Sequence, residues 1–417
     1  MAERLRVATF NASLTRDRPG ELARDLGRPD DPQAREVAAI VQEVDPDVLL
    51  LNEFDRDPEG KALASFRELY LGQSQGGREP VDYPHWYVPP ANTGVPSGVD
   101  LDRNGKIGGP GDALGFGRFE GQYAFVLLSK HPIAEGQIRT FQRFLWRDMP
   151  NALLPEGWYA PEALDVLRLS SKNHVDVPVE VGGTLVHLLA SHPTPPVFDG
   201  PEDRNGRRNH DEIRLFADYV APERAGYLVD DAGIPGGLPV GRRFVVLGDL
   251  NADPQDGDST AGAVLQLTRH PAIDADLVPT SAGGAEAARE QGGANRDQAG
   301  DPAADTADFA EPPGNLRVDH VLPSRAGLRP IDGGVFWPPA GTPGAELVDA
   351  SDHRLVWLDL ELLPDAPRRE GALRCTLALA AADRPLLDAL AARETASALL
   401  ARETGITPPT LLTDLCG

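Results

Sequence analysis

Cysteine is nearly absent: the 417 residues carry only Cys375 and Cys416, both near the C-terminus. That excludes a zinc-thiolate centre and a scaffold stapled by several disulfides, and leaves one bridge or two unpaired thiols open. Positive charge is scarce too, with 40 Lys and Arg against 64 Asp and Glu and a formal net charge of −24. Gripping long nucleic acid by broad attraction needs clustered cations that neutralise phosphates, so such a partner is disfavoured. A nuclease with a local cationic or metal-centred site is not excluded. Acidity of this kind also suits a divalent-cation protein, or simply high solubility. No apolar run has the length to span a bilayer, and Met1 leads almost directly into a strand-like segment with no apolar leader. As written the chain reads as soluble and cytoplasmic, or extracellular if a leader has been removed. Its oligomeric state has no signature.

What is present is an ordinary globular composition, 41% hydrophobic and 25% charged, which supplies enough apolar residues for a sizeable core. Composition divides the chain into a body, 1–363, and an Ala- and Leu-rich extension, 364–417, with a helical pattern from about Arg384 to Glu403.

The candidate chemistry centres on Phe244 to Pro254, FVVLGDLNADP. Phe244 to Leu247 predict a buried strand, Gly248 ends it, and Asp249 and Asn251 follow before Pro254 breaks the backbone. Alternation along an extended backbone predicts both side chains on one side. An Asp-containing turn after a core strand is the plainer alternative. Earlier in the chain, Leu5 to Phe10 predict a strand ending at Asn11, and Asp31-Pro32 opens a helix through Val44. Val48 to Leu51 then predict a buried strand from which Glu53 emerges. A carboxylate there is costly unless paired or bound to a cation.

Tyr123 to Leu128 and Thr184 to Ala190 predict further strands, the second ending in Ser191-His192-Pro193. Prolines stiffen the backbone carrying His192, a placement suited to an imidazole that moves protons or touches phosphate. Strand signal over Thr140 to Trp146 and Val166 to Val181 is interrupted at Ser170 to His174, where Lys172 and His174 line an anion pocket or a solvated strand face. The loop from Asp199 to Asn209 suits a rim that grips an anionic substrate, through Arg204 and Asn205, or a second cation, and a helix from His210 to Val220 packs through Ile213, Phe216, Ala217 and Val220. Asp319 falls within a strand over Leu316 to Leu322, and Asp352-His353 stand at the entrance of a closing strand, Leu355 to Leu360.

Two stretches read as insertions. Within Pro80 to Gly117, oxygen-bearing Asp100, Asp102 and Asn104, then Gly105 and aliphatic Ile107, match the front half of an EF-hand-type loop. The position for a bidentate Glu holds Gly111, with Asp112 one step late, and no helix pair flanks the loop. The expectation is a structural Ca²⁺ loop of Asp100, Asp102, Asn104, Lys106 and Asp112; the alternative is an Asp/Asn/Gly turn. Ser281 to Gly314, with almost no large apolar residue, predicts a long surface loop without secondary structure.

The ordered set Asn11, Glu53, His192, Asp249 with Asn251, Asp319, and Asp352 with His353 resembles the endonuclease/exonuclease/phosphatase superfamily. Its most specific pieces are LLLNEFD, VLGDLNADP, RVDHVLPS and SDHRLVWLDL, and it runs from about Leu5 to Leu363. The resemblance implies an α/β (α+β) four-layered sandwich, two packed mixed sheets flanked by helices, with the site at one end. It implies Glu53 as the principal Mg²⁺ or Mn²⁺ ligand, Asn11 positioning metal and phosphate, and Asp352 in the same shell. Asp249 orients or deprotonates water, and Asn251 donates to a phosphate oxygen. His353, oriented by Asp319, contacts phosphate or acts as base. His192 serves as acid or phosphate contact, with Glu120 near the place of the carboxylate that orients such a histidine. The expected activity is divalent-metal-dependent hydrolysis of a small phosphorylated substrate, a phosphomonoester or small phosphodiester. The alternatives are a metal-dependent nuclease and a non-catalytic calcium-stabilised binding module.

Overall fold

The computed structural model describes residues 3–364. The helical extension expected beyond them, with Cys375 and Cys416, lies outside the described residues. Strand β1 (Arg4–Leu14) runs parallel to β2 (Val48–Phe54), and the crossover carries α1 (Glu21–Leu26) and α2 (Pro32–Val44). Asp31 caps α2 by accepting the Ala34 amide, and Pro32 fills its first turn, where a missing N–H costs nothing. After α3 (Lys61–Phe66) and the short β3 (His85–Tyr87), β4 (Phe125–Ser129) returns antiparallel to β2. β5 (Arg139–Thr140) and α4 (Pro161–Leu164) precede the hairpin of β6 (His174–Val181) and β7 (Thr184–Ser191). α5 (Arg204–Tyr219) crosses over to β8 (Arg243–Asp249), parallel to β7. Then come α6 (Leu265–Thr268), α7 (Ala282–Gln291), β9 (Ala307–Asp308), β10 (Asn315–Leu316), β11 (Asp319–Pro323), β12 (Leu328–Val335) and β13 (Val356–Leu362).

One sheet has the order β12-β13-β1-β2-β4-β3 and the other β11-β8-β7-β6-β5; β9 and β10 form a separate pair. Successive residues explain the layering. Val7, Val48 and Leu50 face Val175, Val177, Leu188 and Val245 between the sheets. Their neighbours Ala8, Leu49 and Leu51 face outward onto Val37, Ile40 and Val41 of α2. On the other side Leu189 and Val246 meet Ile213 and Phe216 of α5. Strands buried on both faces read as continuous apolar runs, which is why they were legible. Among the described residues, no helix is long and apolar enough to cross a membrane.

Several expectations fail on local grounds. Ser281–Gly314 is not structureless: Ser281 caps α7 by accepting the Gly284 amide. A Cβ at Gly283 would lie 2.2 Å from the Trp337 carbonyl, so this helix packs through backbone rather than large side chains. The loop after Asp199 stops at Asp203, because α5 already begins at Arg204. Strand structure near Thr140–Trp146 ends at Thr140. β12 escaped notice because Pro330 and Gly333-Gly334 interrupt its pattern, which a strand at a sheet edge tolerates.

Candidate active site

The parallel and antiparallel registers bring one set of strand ends together. Asn11 pairs with Asn52 on β2, immediately before Glu53, while Asp319 pairs with Asp249 across β11 and β8. His353 precedes β13, and Ser351 beside it donates from its hydroxyl to the Asn11 carbonyl at 2.7 Å. The two sheets are stitched at Asp249: Asn11 Nδ2 donates to its Oδ2 at 3.0 Å, and the Asn52 side-chain oxygen accepts from its amide at 3.4 Å. His192 Nε2 lies 3.4 Å and His353 Nε2 3.7 Å from the same Oδ2. Behind His353, its Nδ1 is 2.8 Å from Asp319 Oδ2, which also accepts from the Thr306 hydroxyl at 2.9 Å.

Two residues of α5 hold the loops in place, and neither was singled out in the sequence. Glu212, fully buried, accepts from the amides of Ser171 (2.6 Å) and Thr194 (2.7 Å), fixing the segments that carry Lys172 and His192. Asn209 donates from Nδ2 to the carbonyls of Thr194 (2.8 Å) and Leu250 (2.9 Å). Their signal was faint: polar residues on the helix face that also carries Ile213 and Phe216. Gly248 is required where β8 ends, since at φ 147° a Cβ would stand 2.0 Å from the Ser191 carbonyl.

Burial and charge sort the titrating groups. Burial opposes charge on His353, but the carboxylates of Asp319 and Asp249 outweigh it and push its pKa up to about 10. Burial also raises Asp319, to about 6, with the nearby Asp249 charge adding to the rise against the pull of His353. For Asp249, burial is outweighed by His353, His192 and the Asn11 amide, and its carboxyl lies well below the usual range. His192 is pushed down by burial and by the Lys172 charge, so it is neutral near pH 7, and its Nδ1 is buried without a partner. Burial lowers Lys172 against the carboxylates of Glu212, Glu53 and Asp249. No carboxylate stands within ion-pair range of its ammonium among the described residues.

The oxygen donors suit a hard divalent cation. Glu53 sits in left-handed backbone (φ 55°) at the end of β2, and its carboxylate has no hydrogen-bond donor among the described residues. Its charge nevertheless reaches Lys172, His192 and Tyr123, which places it in the same cleft. Asp352 is exposed beside His353, and Oδ1 of Asp319 is buried without a partner. Asp249, Asp319 and His353 also offer ligand atoms within 4.8 Å of one another. The 2.8 Å contact between Asp319 and His353 already joins these two by a proton, so Glu53 is the better centre for a cation.

Some placements differ from expectation. Asn251 does not continue the strand beside Asp249: at φ 51° it turns, its amide donating to Asp249 Oδ1 at 2.9 Å and Nδ2 to the Pro193 carbonyl at 3.2 Å. The Asx turn, not alternation, fixes it. His174 is fully buried with Nδ1 on the Ser170 hydroxyl and Nε2 on the Glu212 carbonyl, so it has nothing left for a substrate. Arg204 is taken up by Glu202 and by Trp158, whose ring it overlies at 5.6 Å. Asn205 ties the rim together, its amide donating to Asp199 and its Nδ2 to the Val197 carbonyl. Glu120 is exposed and makes no contact with the orphaned His192 Nδ1.

In the other loop, Asp100, Asp102 and Asp112 bring carboxylate oxygens within 4.8 Å of one another. A short turn at Pro110–Asp112 swings the late acid inward, and Asp112 accepts from the amides of Leu101 and Gly108. Asn104 donates to Asp102 and accepts from the Lys106 amide.

The sequence model of the endonuclease/exonuclease/phosphatase family matches residues 8–353. Among solved structures, an endonuclease/exonuclease/phosphatase from Beutenbergia cavernae is 20% identical, covering 87% of this chain and 72% of its own, with a TM-score of 0.48. A family protein from Leptotrichia buccalis is 11% identical (86% and 100% covered, TM-score 0.45). Sphingomyelinase C from Streptomyces griseocarneus is 16% identical (85% and 99% covered, TM-score 0.42). No curated protein matches. With the family match covering every strand end that meets at Asp249, the chain belongs to the endonuclease/exonuclease/phosphatase family, a family of hydrolases.

Proposed function

We propose that this protein hydrolyses a phosphomonoester or small phosphodiester with the help of a divalent cation, Mg²⁺ or Mn²⁺. The observation that carries the reading is the convergence on Asp249 Oδ2 of Asn11, His192 and His353, with Asp319 behind the last. Glu53, with Asp352 and Asn11, would hold the cation, which when bound supplies charge neutralisation for the phosphoryl oxygens. Asp249, ionised and flanked by a neutral His192, aligns the attacking water and takes up its proton. As the water oxygen bonds to phosphorus, the ester P–O bond breaks. The imidazolium of His353, charged at neutral pH, faces the developing negative charge and supplies a proton to the departing oxygen. Lys172 and the Asn251 amide group contribute to holding the phosphate.

Small esters are favoured over long nucleic acid because a net charge of −24 repels a polyanion. Asp100, Asp102 and Asp112 are assigned to a structural Ca²⁺, away from the chemical step. Turnover of p-nitrophenyl phosphate and bis-p-nitrophenyl phosphate with Mg²⁺ or Mn²⁺, abolished by Glu53→Ala and His353→Ala, supports the reading. Plasmid nicking without small-ester turnover would move it to the nucleases, and inactivity on both would remove it.

A further inference from the structure

The 80–117 insertion and the loop before α5 are both bonded to side chains of α5. Nη2 of Arg208 donates to the Leu114 carbonyl at 2.6 Å, and Nδ2 of Asn205 to the Val197 carbonyl at 2.7 Å. Positions three apart on a helix are neighbours, so the chain around Leu114 and the chain around Val197 are both tied to the first turns of α5. Each presents an exposed aromatic next to its tie: Phe116 is 61% exposed and Phe198 is 85% exposed. Neither ring stacks on another ring or on a cation among the described residues. Phe198 is held at φ 66°, a left-handed conformation that a phenylalanine rarely adopts. Single exposed apolar residues need no explanation, but strain that keeps a large ring in water beside a polar site does.

The two segments that carry these rings adjoin the loops that bear Lys172 and His192. Gly115, next to Phe116, lies so close to Ser171 that a Cβ there would be 1.8 Å from the Ser171 carbonyl. Ser171 precedes Lys172, and its hydroxyl donates to the His192 carbonyl at 3.3 Å. Phe198 follows His192 through the rigid proline run, whose Thr194 is anchored by Glu212 and Asn209.

We propose that Phe116 and Phe198 form the two walls of an apolar subsite that receives the aryl or alkyl ester arm of a phosphodiester, beside the polar groups that hold its phosphate. The proposal rests on the phosphoesterase reading and narrows it to diesters with an apolar arm. A bare phosphomonoester leaves such a subsite empty, and a polynucleotide is disfavoured by the net charge of −24.

The test uses the full chain with Mn²⁺, the variants Phe116→Ser and Phe198→Gly, and their combination. Glycine accepts the backbone at 198 without strain. Val240→Ser, at an apolar residue 86% exposed before the far end of β8, is the control. Calorimetry compares diphenyl, dihexyl and dimethyl phosphate. Turnover compares bis-p-nitrophenyl phosphate with methyl p-nitrophenyl phosphate, which share a leaving group. The expected result is about ten-fold tighter binding of diphenyl than dimethyl phosphate, with KM about ten-fold lower for the diaryl ester. The double variant erases both preferences and leaves kcat and the methyl-ester KM within about two-fold. Dihexyl phosphate binding like the diphenyl ester identifies an alkyl arm; weak dihexyl binding identifies a planar one. Turnover without a preference, or a preference that survives the double variant, overturns the subsite alone. A preference that depends on the two phenylalanines in a protein that hydrolyses no ester keeps the subsite and overturns the hydrolase reading.

Discussion

Glu53 and Asp319 are both carboxylates at strand ends on the same cleft, yet they are treated in opposite ways. Glu53, on the sheet containing β1 and β2, is partly exposed, strained in its backbone and without a hydrogen-bond donor among the described residues. Asp319, on the sheet containing β8, is 1% exposed and accepts from Thr306 and His353. Asp352 is likewise open to solvent, whereas Asp249 and His192 are buried like Asp319. One sheet therefore leaves oxygens open, as a hydrated cation needs, while the other keeps its titrating groups buried. In low dielectric a pair such as Asp319 and His353 sets the charge state of each partner, and an open carboxylate at the surface does not. His353 belongs in sequence to the first sheet and in hydrogen bonding to the second, which couples them.

The contrast predicts a separation of activity from stability. Glu53→Gln should lower ester turnover by about three orders of magnitude. Its melting temperature in chelator should match that of the native chain; a clear loss of stability would mean that Glu53 is a structural ion-pair partner after all.

Asp319→Ala should fail on both counts, because it strands a buried imidazolium, a change that costs about 3–5 kcal/mol. Denaturant titration at neutral pH measures it. The pH dependence has a definite sign. His353 has its pKa raised from the ordinary 6.5 to about 10, so its contribution is fully present below pH 6.5 and is lost as pH rises through 10. Native melting temperature should fall across that window, and Asp319→Asn should flatten the slope. An unchanged slope in the variant would show that His353 is not the group responsible.

Asn209→Ala tests whether the second sheet's loops depend on α5. Leaving the carbonyls of Thr194 and Leu250 unmet should cost about 1–3 kcal/mol in unfolding and about ten-fold in turnover, through misplacement of His192 and Asn251. Full activity in the variant would remove α5 as the platform. The smallest effect is expected in the outlying loop. Asp102→Asn should abolish any calcium-dependent rise in melting temperature while turnover stays within about two-fold. Native melting curves that are identical with and without calcium would dismiss that ion.

Glu53, Asp249, Asp319 and His353 were legible because each interrupts, ends or immediately precedes an apolar run, and a charge placed there stands out. Lys172 and His174 were indistinguishable in sequence. The β6–β7 pairing sets His174 opposite Ser191 and seats its ring on Glu212, leaving Lys172 as the one of the two that the charges of Glu53 and Asp249 influence. Glu212 and Asn209 were invisible, since a polar residue on a helix reads as solvated until something packs on it. α7 was missed because glycines that permit close backbone packing look like loop composition.

Sequence alone determined most of the central strands and the residue types at their ends, because burial on both faces demands unbroken apolar runs and leaves charge only where those runs stop; the four layers were implied by the family resemblance. Tertiary structure decided which ends meet, which carboxylate is open and which is paired, and that Asn251 turns rather than extends. Those outcomes depend on register between strands distant in the chain and on hydrogen bonds from α5, and no local pattern encodes either.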